Sequence, residues 1–273
     1  MKYLDDVTLC AVDSRAPHLA VRAMRNCMAG MEFGDRLLIT SNCSPGKFTE
    51  DYRVIKIPVF DSSQQYSHFI LSELGSYFHT SHVLIVQWDG FVLHPDAWDD
   101  EFLEYDYIGA PWPHHPIEQA VGNGGFSLRS RRLFEAMQDI NFVPSHPEDL
   151  CICHHNRTML ENRFGIRFAP LDLAERFSYE RARPRERTFG FHGFFNFPDF
   201  MPTEDLNDYL SEMTDDMLCN RDTRDLIARL ARTKARECKL LARRMLIRHL
   251  ESCRWNLKSV GLTIKTIARS FVK

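Results

Sequence analysis

Short apolar runs alternate with stretches of helical periodicity through the first ninety residues, and this alternation leaves few architectures open. Val7–Asp13, Arg36–Ser41, Tyr52–Ile57 and His82–Val86 read as strands. Between the first two, Pro17 opens a helix that carries Ala20, Ala23, Met24 and Cys27 on one face and stops at Gly30. Between the last two, Tyr66, Phe69, Ile70, Leu74 and Tyr77 fall at helical spacing. The fourth strand is apolar throughout, as a central strand covered on both faces would be. Strand–helix repetition of this kind predicts an α/β, Rossmann-like, doubly wound and mostly parallel sheet flanked by helices.

In open sheets of this type, ligands sit beyond the carboxyl ends of the strands. The polar residues there are Asp13, Ser14 and Arg15; Thr40, Ser41 and Asn42; Asp61, Ser62 and Ser63; and Gln87, Trp88, Asp89 and Gly90. Asp89 just past a buried strand is a ligand type suited to a hard cation, Mn²⁺ or Mg²⁺, that leaves positions open for phosphate oxygens. By strand alternation Gln87 points with Asp89 and Trp88 points away. A plain turn at Asp89–Gly90 is an equally good reading of those residue types.

Three further segments carry polar chemistry. Gly122-Asn123-Gly124-Gly125 lets backbone approach a ligand closely before Phe126-Ser127-Leu128-Arg129 returns to a strand. Its glycine spacing is not that of a dinucleotide fingerprint. Glu148 and Asp149 follow Pro147 at a helix start, where acids favour the helix dipole and where one facing a pocket can act as a general base. His192 lies between Gly and aromatic residues in Phe189–Phe195 and is of a type that can ligate a metal. Pro95 is expected to begin a helix with Trp98 and Phe102, Ser130 to cap another, and a further helix to run from about Glu148 to Arg163 and end at Gly165.

The set Val-Asp-Ser-Arg (12–15), Val-Gln-Trp-Asp-Gly (86–90), Tyr-Ile-Gly-Ala-Pro-Trp (107–112), Gly-Asn-Gly-Gly-Phe-Ser-Leu-Arg (122–129), Pro-Glu-Asp (147–149) and Phe-His-Gly (191–193) resembles the GT-A glycosyltransferases. It is most similar to a bacterial glycosyltransferase-like family of otherwise unknown function. The resemblance implies a GT-A-like fold and transfer of a sugar from a nucleotide-diphosphate sugar, UDP-sugar first among them, to a hydroxyl of a glycan or lipid-linked acceptor. It implies metal ligation by Asp89 and His192, with Gln87 where the family's motif has its first acid. Asp13, Ser14, Arg15, Asp61, Gln87 and Trp88 would meet the donor nucleotide. Trp112, Asn123, Gly124, Gly125 and Phe126 would meet sugar or acceptor, with Phe194 a further ring of this kind. Asp149, or failing it Glu148, would take the acceptor proton in an inverting displacement. Because Gln87 weakens the metal motif, the alternative is a non-catalytic nucleotide-sugar- or carbohydrate-binding protein on the same scaffold.

The net charge of −3 divides unevenly: residues 221–273 hold 15 Lys/Arg against 4 Asp/Glu, a surplus of +11, which leaves −14 for residues 1–220. The expected organisation is therefore a catalytic domain over 1–220 and a basic helical extension over 221–273. Leu226, Leu230, Cys238, Leu241 and Met245 recur at helical spacing in that extension. Such a helix can lie on an anionic membrane surface or pack on the acidic domain. No nucleic-acid motif accompanies the charge, so no nucleic-acid partner is expected. Without a signal pattern or membrane-spanning run, the expected location is the cytoplasm, with peripheral contact at the inner membrane face through 221–273. The eight scattered cysteines then read as reduced thiols.

Overall fold

A computed structural model describes residues 1–41, 52–233, 235–253 and 261. Asn42 and most of the basic stretch beyond Cys253 lie outside the described residues. The chain divides into two compact units, Met1–His192 and Gly193–Lys273.

The first unit is built on β1 (Lys2–Val12), β2 (Met31–Thr40), β3 (Arg53–Lys56), β4 (His82–Val86), β5 (Tyr107–Gly109) and β6 (Phe126–Ser130), hydrogen-bonded in the order β3-β2-β1-β4-β6-β5. The pairs from β3 to β4 are parallel. β6 runs antiparallel to both β4 and β5. This is the mostly parallel, helix-flanked α/β sheet that the strand–helix alternation predicts. β4 is buried along its whole length at the middle of the sheet, which accounts for its unbroken apolar run.

Helices α1 (Pro17–Met28) and α2 (Ser63–Ser72) fill the early crossovers. Pro17 stands in the first turn of α1, where a missing N–H costs nothing, and Leu19, Ala20, Ala23, Met24 and Cys27 are buried. Ser62 caps α2 by accepting from Gln65 N at 3.3 Å. Ser130 does the same for α3 (Arg131–Ala136) through Leu133 N at 3.0 Å.

Two helices differ from the sequence expectation. Past Pro95 the chain makes two short 3₁₀ turns, Pro95–Ala97 and Asp100–Glu104, because Trp98 is extended and the Asp99 side chain caps the second turn through Glu101 N. Trp98 and Phe102 are nevertheless buried and meet edge to face at 5.4 Å. The expected helix from Glu148 to Arg163 comes in three pieces: α4 (Glu148–Leu150), a π-helical turn over Cys151–His155, and α5 (Arg157–Phe164). Asn156 makes the break by donating to the carbonyls of Val143 and Cys151 and accepting from Val143 N. Gly165 ends α5 at φ 62°. α6 (Leu171–Phe177) and a two-residue parallel pair, β7 (Ser178–Tyr179) with β8 (Gly190–Phe191), complete the unit.

The second unit holds a 3₁₀ segment Phe194–Asp199, α7 (Thr203–Ser211), α8 (Arg221–Arg232) and α9 (Arg236–Ser252). The sequence reading sets a boundary at 220/221, whereas the compact units part at 192/193. Residues 193–220 join the helical unit because Phe197 packs on Tyr209 and Arg229 of α8 covers Phe195. Leu226 and Leu230 of α8 and Leu241 and Met245 of α9, most of the apolar stripe read in the basic extension, are buried. Among the described residues no helix is long and apolar enough to cross a membrane.

Cys219 and Cys253 form a disulfide across 34 positions, which corrects the expectation of thiols throughout. Cys10, Cys27, Cys151, Cys153 and Cys238 are free. Closing a loop of this length removes entropy from the unfolded chain, so Cys219→Ser is expected to lower stability by about 3–4 kcal/mol. Urea unfolding of wild type with and without reductant, beside Cys219→Ser, checks this: reductant should shift the wild-type curve onto that of the variant.

Candidate functional site

The antiparallel course of β6 sets up the site. Val86, the last residue of β4, pairs with Phe126, the first of β6, so the loop before β6 arrives at the carboxyl edge of the parallel strands. Gln87 N donates to Gly125 O at 2.9 Å and fastens that loop to the end of β4. Gly90 N donates to Gln87 O at 3.0 Å, closing a turn that carries Asp89.

Asp89 and His192 meet beside this loop. Asp89 Oδ1 lies 3.4 Å from His192 Nε2, and both side chains are largely enclosed. Asn123 Nδ2 donates to His192 Nδ1 at 3.1 Å, and Glu180 Oε1 lies 3.8 Å from the same nitrogen. Asn123 holds φ at 66°, an unusual backbone state that asparagine tolerates better than most residues, and it accepts the Tyr107 hydroxyl on its carbonyl. A β-carbon on Gly125 would come within 2.0 Å of His192 Nε2, so only glycine admits the imidazole at that distance.

The acids lie on the other side of the same loop. Gly124 N donates to Asp149 Oδ2 at 3.2 Å, which holds this half-buried carboxylate at the loop. Glu148 is buried and takes a 3.2 Å contact from Arg129 Nη2, and Arg129 is wholly enclosed. A β-carbon on Gly124 would lie 2.0 Å from Glu148 Oε1, so the bare glycine backbone roofs the ion pair. Burial pushes the Glu148 carboxyl above its ordinary value, Arg129 pulls it back, and the neighbouring Asp149 charge raises it again. Arg129 also rests over the Tyr107 ring at 5.0 Å and donates from Nε to Ser127 Oγ at 3.0 Å.

A separate cavity of about 340 Å³ opens at the carboxyl ends of β1 and β4, lined by Asp13, Ser14, Arg15, Phe60, Tyr66, Gln87 and Trp88 among others. Asp13 Oδ1 accepts from Arg15 N and Ala16 N at 2.8 and 2.7 Å. Burial raises the Asp13 carboxyl, with those two backbone donors and the charges of His18 and Arg15 opposing. Ser14 Oγ accepts from Phe60 N, and the Arg15 guanidinium donates to the carbonyls of Phe60 and Asp61, so both hold the segment before α2.

Not every residue singled out in the sequence joins these groups. Gln87 donates to the Tyr66 hydroxyl at 3.1 Å and lines the cavity, because the strand ends at Val86 and the turn at 87–90 breaks the alternation that would aim it with Asp89. Phe126 is fully buried against Phe177 and Phe189, a core position with no face for a sugar. Phe194 is likewise buried, within the second unit. Trp112 is half-buried, with its ring against Gly122 and packed on His115 at 4.9 Å. Asp61 is exposed and paired with Gln65.

A family model described as protein of unknown function (DUF5672) matches residues 51–192, just over half of the chain. The chain belongs to the DUF5672 family. No curated protein matches it. Among solved structures the DUF5672 chain is similar to galactosyltransferase LgtC in complex with donor and acceptor sugar analogues, at 12% identity, covering 78% of this chain and 96% of that one with a TM-score of 0.45. It is also similar to a glycosyltransferase involved in glycosylation of the major capsid of PBCV-1, at 12% identity, 76% and 99% coverage and a TM-score of 0.40. A third is the mannosyltransferase PcManGT from Pyrobaculum calidifontis with GDP-Man and Mn²⁺, at 11% identity, 97% and 75% coverage and a TM-score of 0.42. Likenesses of this size reach neither individual residues nor chemistry, and the fold of the DUF5672 chain rests on its own strand order and pairing.

The matched region of the DUF5672 chain contains Asp89, Asn123–Gly125, Glu148, Asp149 and His192, but not Asp13–Arg15. Sequence reasoning left Arg129, Tyr66 and Glu180 out of the site. Arg129 had a signal: a lone cation inside a strand whose other members are small or apolar needs an anionic partner if buried. Tyr66 read as an ordinary core position on α2.

Loss of Glu148 would strand the Arg129 charge in a dry site, so Glu148→Gln is expected to destabilise the fold by about 3–5 kcal/mol. Arg129→Met leaves a carboxyl that can protonate instead. Its folded pKa would rise further; a carboxyl raised in this way costs nothing below its unfolded pKa and destabilises increasingly as pH rises from there through its folded pKa. Urea unfolding should therefore show a smaller deficit for Arg129→Met at pH 5 than at pH 8, and a deficit independent of pH would show that Glu148 does not respond to Arg129.

Proposed function

We propose that this protein is a glycosyltransferase that moves a sugar from a nucleotide-diphosphate donor, with UDP-sugars favoured, to a hydroxyl of a glycan or lipid-linked acceptor. The observation that carries the reading is the convergence on one glycine loop of an acid–imidazole pair, Asp89 with His192, and a separate half-buried carboxylate, Asp149. The ordered motifs that resemble GT-A glycosyltransferases support it, and so does the cavity at the ends of β1 and β4.

The residues present fit a divalent cation. Two donors 3.4 Å apart suit neighbouring positions on one ion with ligands at about 2.1 Å, and Gly125 leaves room for the imidazole. Asp89 and His192 would hold Mn²⁺ or Mg²⁺, with remaining positions filled by water and phosphate oxygens, because among the described residues no group of three or more His, Cys, Asp or Glu surrounds one point. Such an ion supplies positive charge against which a leaving diphosphate is stabilised. With the ion on Nε2, the imidazole proton would sit on Nδ1, which Glu180 Oε1 flanks at 3.8 Å.

Asp149 is the base in this reading. Its carboxylate takes the acceptor hydroxyl proton as the acceptor oxygen bonds to the anomeric carbon and the bond to the diphosphate breaks, giving inversion. Glu148 is roofed by Gly124 and committed to Arg129, so it positions the segment rather than meeting substrate. The 340 Å³ cavity takes the nucleoside, with Tyr66 and Trp88 at its wall.

Thermal shift with a panel of nucleoside diphosphates is expected to show stabilisation that requires Mn²⁺ and is weakened in Asp89→Ala; a shift indifferent to both would sink the proposed cation site. Asp149→Asn is expected to cut transfer by about 10²–10⁴-fold while leaving donor binding intact. Donor binding in wild type without release of nucleoside diphosphate, across a range of acceptors, would favour a non-catalytic nucleotide-sugar-binding protein.

A further inference from the structure

The sequence contains two His–His dipeptides, His114–His115 and His154–His155, and the fold joins their inner members. His115 Nδ1 and His154 Nε2 lie 2.7 Å apart, with ring centroids 4.6 Å apart at 70°. His115 belongs to the segment 111–121, closed at its base by the bridge Pro111–Val121 and by Trp112 N donating to Ala120 O. His154 belongs to the π-helical turn that follows Glu148 and Asp149.

Three observations point to a ligand for this pair. The two nitrogens lie within hydrogen-bonding distance of each other, and the Trp112 ring packs against both imidazoles, with centroids 4.9 Å from His115 and 6.3 Å from His154. Both rings are half-buried, so a small hydrated ion can reach them, while His114 and His155 stand exposed alongside. The charges that act on His154 come from His115, His155 and Arg157, and Arg157 is itself paired with Glu161 at 2.9 Å.

We propose that His115 and His154 form a second cation site, selective for nitrogen-seeking transition metals of the Ni²⁺, Cu²⁺ and Zn²⁺ class, which pins the 111–121 segment to the helical turn after Asp149. Imidazole pairs suit these ions, whereas Mg²⁺ and Mn²⁺ favour sites rich in oxygen. Ligands at about 2.0–2.1 Å in tetrahedral array set an N···N distance of about 3.3 Å, so the rings separate by about 0.6 Å on binding. Each ring keeps one N–H: the proton now shared between the rings moves to the other nitrogen of the ring that donates it. Water completes the coordination. The site is independent of the sugar-transfer reading.

The test is titration of tagless full-length protein with Ni²⁺ at pH 7.5, followed by calorimetry and by tryptophan fluorescence, with Trp112→Phe to identify the responding ring. One saturable Ni²⁺ per chain is expected at this pair, with quenching that disappears in Trp112→Phe. Affinity should fall by at least about tenfold in His115→Ala and in His154→Ala. Asp89→Ala should leave that titration unchanged, which separates this site from the proposed donor-cation site. His115→Gln and His154→Gln, checked for native melting, guard against misfolding of the alanine variants. Wild-type affinity and quenching in the folded His115→Gln/His154→Gln double variant would overturn the proposal. So would the absence of Ni²⁺ binding by folded wild type, or binding lost in Asp89→Ala alone.

Discussion

A full positive charge enclosed in a β-strand is costly unless an anion reaches it, and Arg129 in β6 has no solvent exposure. Its charge is met by Glu148, brought in from the start of α4, and by the face of Tyr107 from β5. That requirement links three segments that share no local sequence rule: the antiparallel strand, its neighbour at the sheet edge, and the acidic helix start. Glu148 reaches Arg129 only because Gly124 leaves no side chain between them, so the glycine loop and the ion pair specify each other. With Glu148 consumed in this way, Asp149 is left at the loop as the half-exposed carboxylate.

The reversal of direction at β6 is the second constraint. In a wholly parallel sheet the start of a strand lies at the edge opposite the carboxyl ends of its neighbours. Because β6 is antiparallel to β4, the loop that precedes it lies where Gln87 and Asp89 leave the sheet. The site is therefore assembled at one edge from the end of β4, the beginning of β6 and His192 just past β8. Asn123 and Gly125 both touch His192, while Gly124 touches both acids, so three consecutive residues divide the loop's two sides between the imidazole and the carboxylates.

The two candidate cation sites differ in donor chemistry. Asp89 with His192 offers an oxygen and a nitrogen beside room for phosphate, whereas His115 with His154 offers nitrogen alone. Hard and borderline ions distinguish such sets by ligand type more than by cavity size. The π-helical turn that carries His154 is an uncommon conformation, held by Asn156 bridging Val143 and Cys151, and irregular turns of this kind place side chains where a regular helix would not.

What the sequence determined by itself is the part governed by contacts within a few residues. The apolar runs and helical spacing set the strands and helices of the sheet, Ser130 set a helix start, Gly165 set a helix end, and the polar strand ends marked the edge where the candidate site lies. Asp89 was legible as a suspect for that reason, and Asn123–Gly125, Asp149 and His192 through the glycine loop, the acidic helix start and the loop histidine that local sequence shows. Only the tertiary structure decided which of them meet. It parted Gln87 from Asp89 by closing a turn at Gly90, sank Phe126 into the core, committed Glu148 to Arg129, joined His115 to His154 and Cys219 to Cys253, and moved the boundary between units to 192/193. Hydrogen-bond geometry repeats every few residues and so leaves a period in the sequence; a pair brought together across the fold leaves none, because its existence depends on the path of every element between.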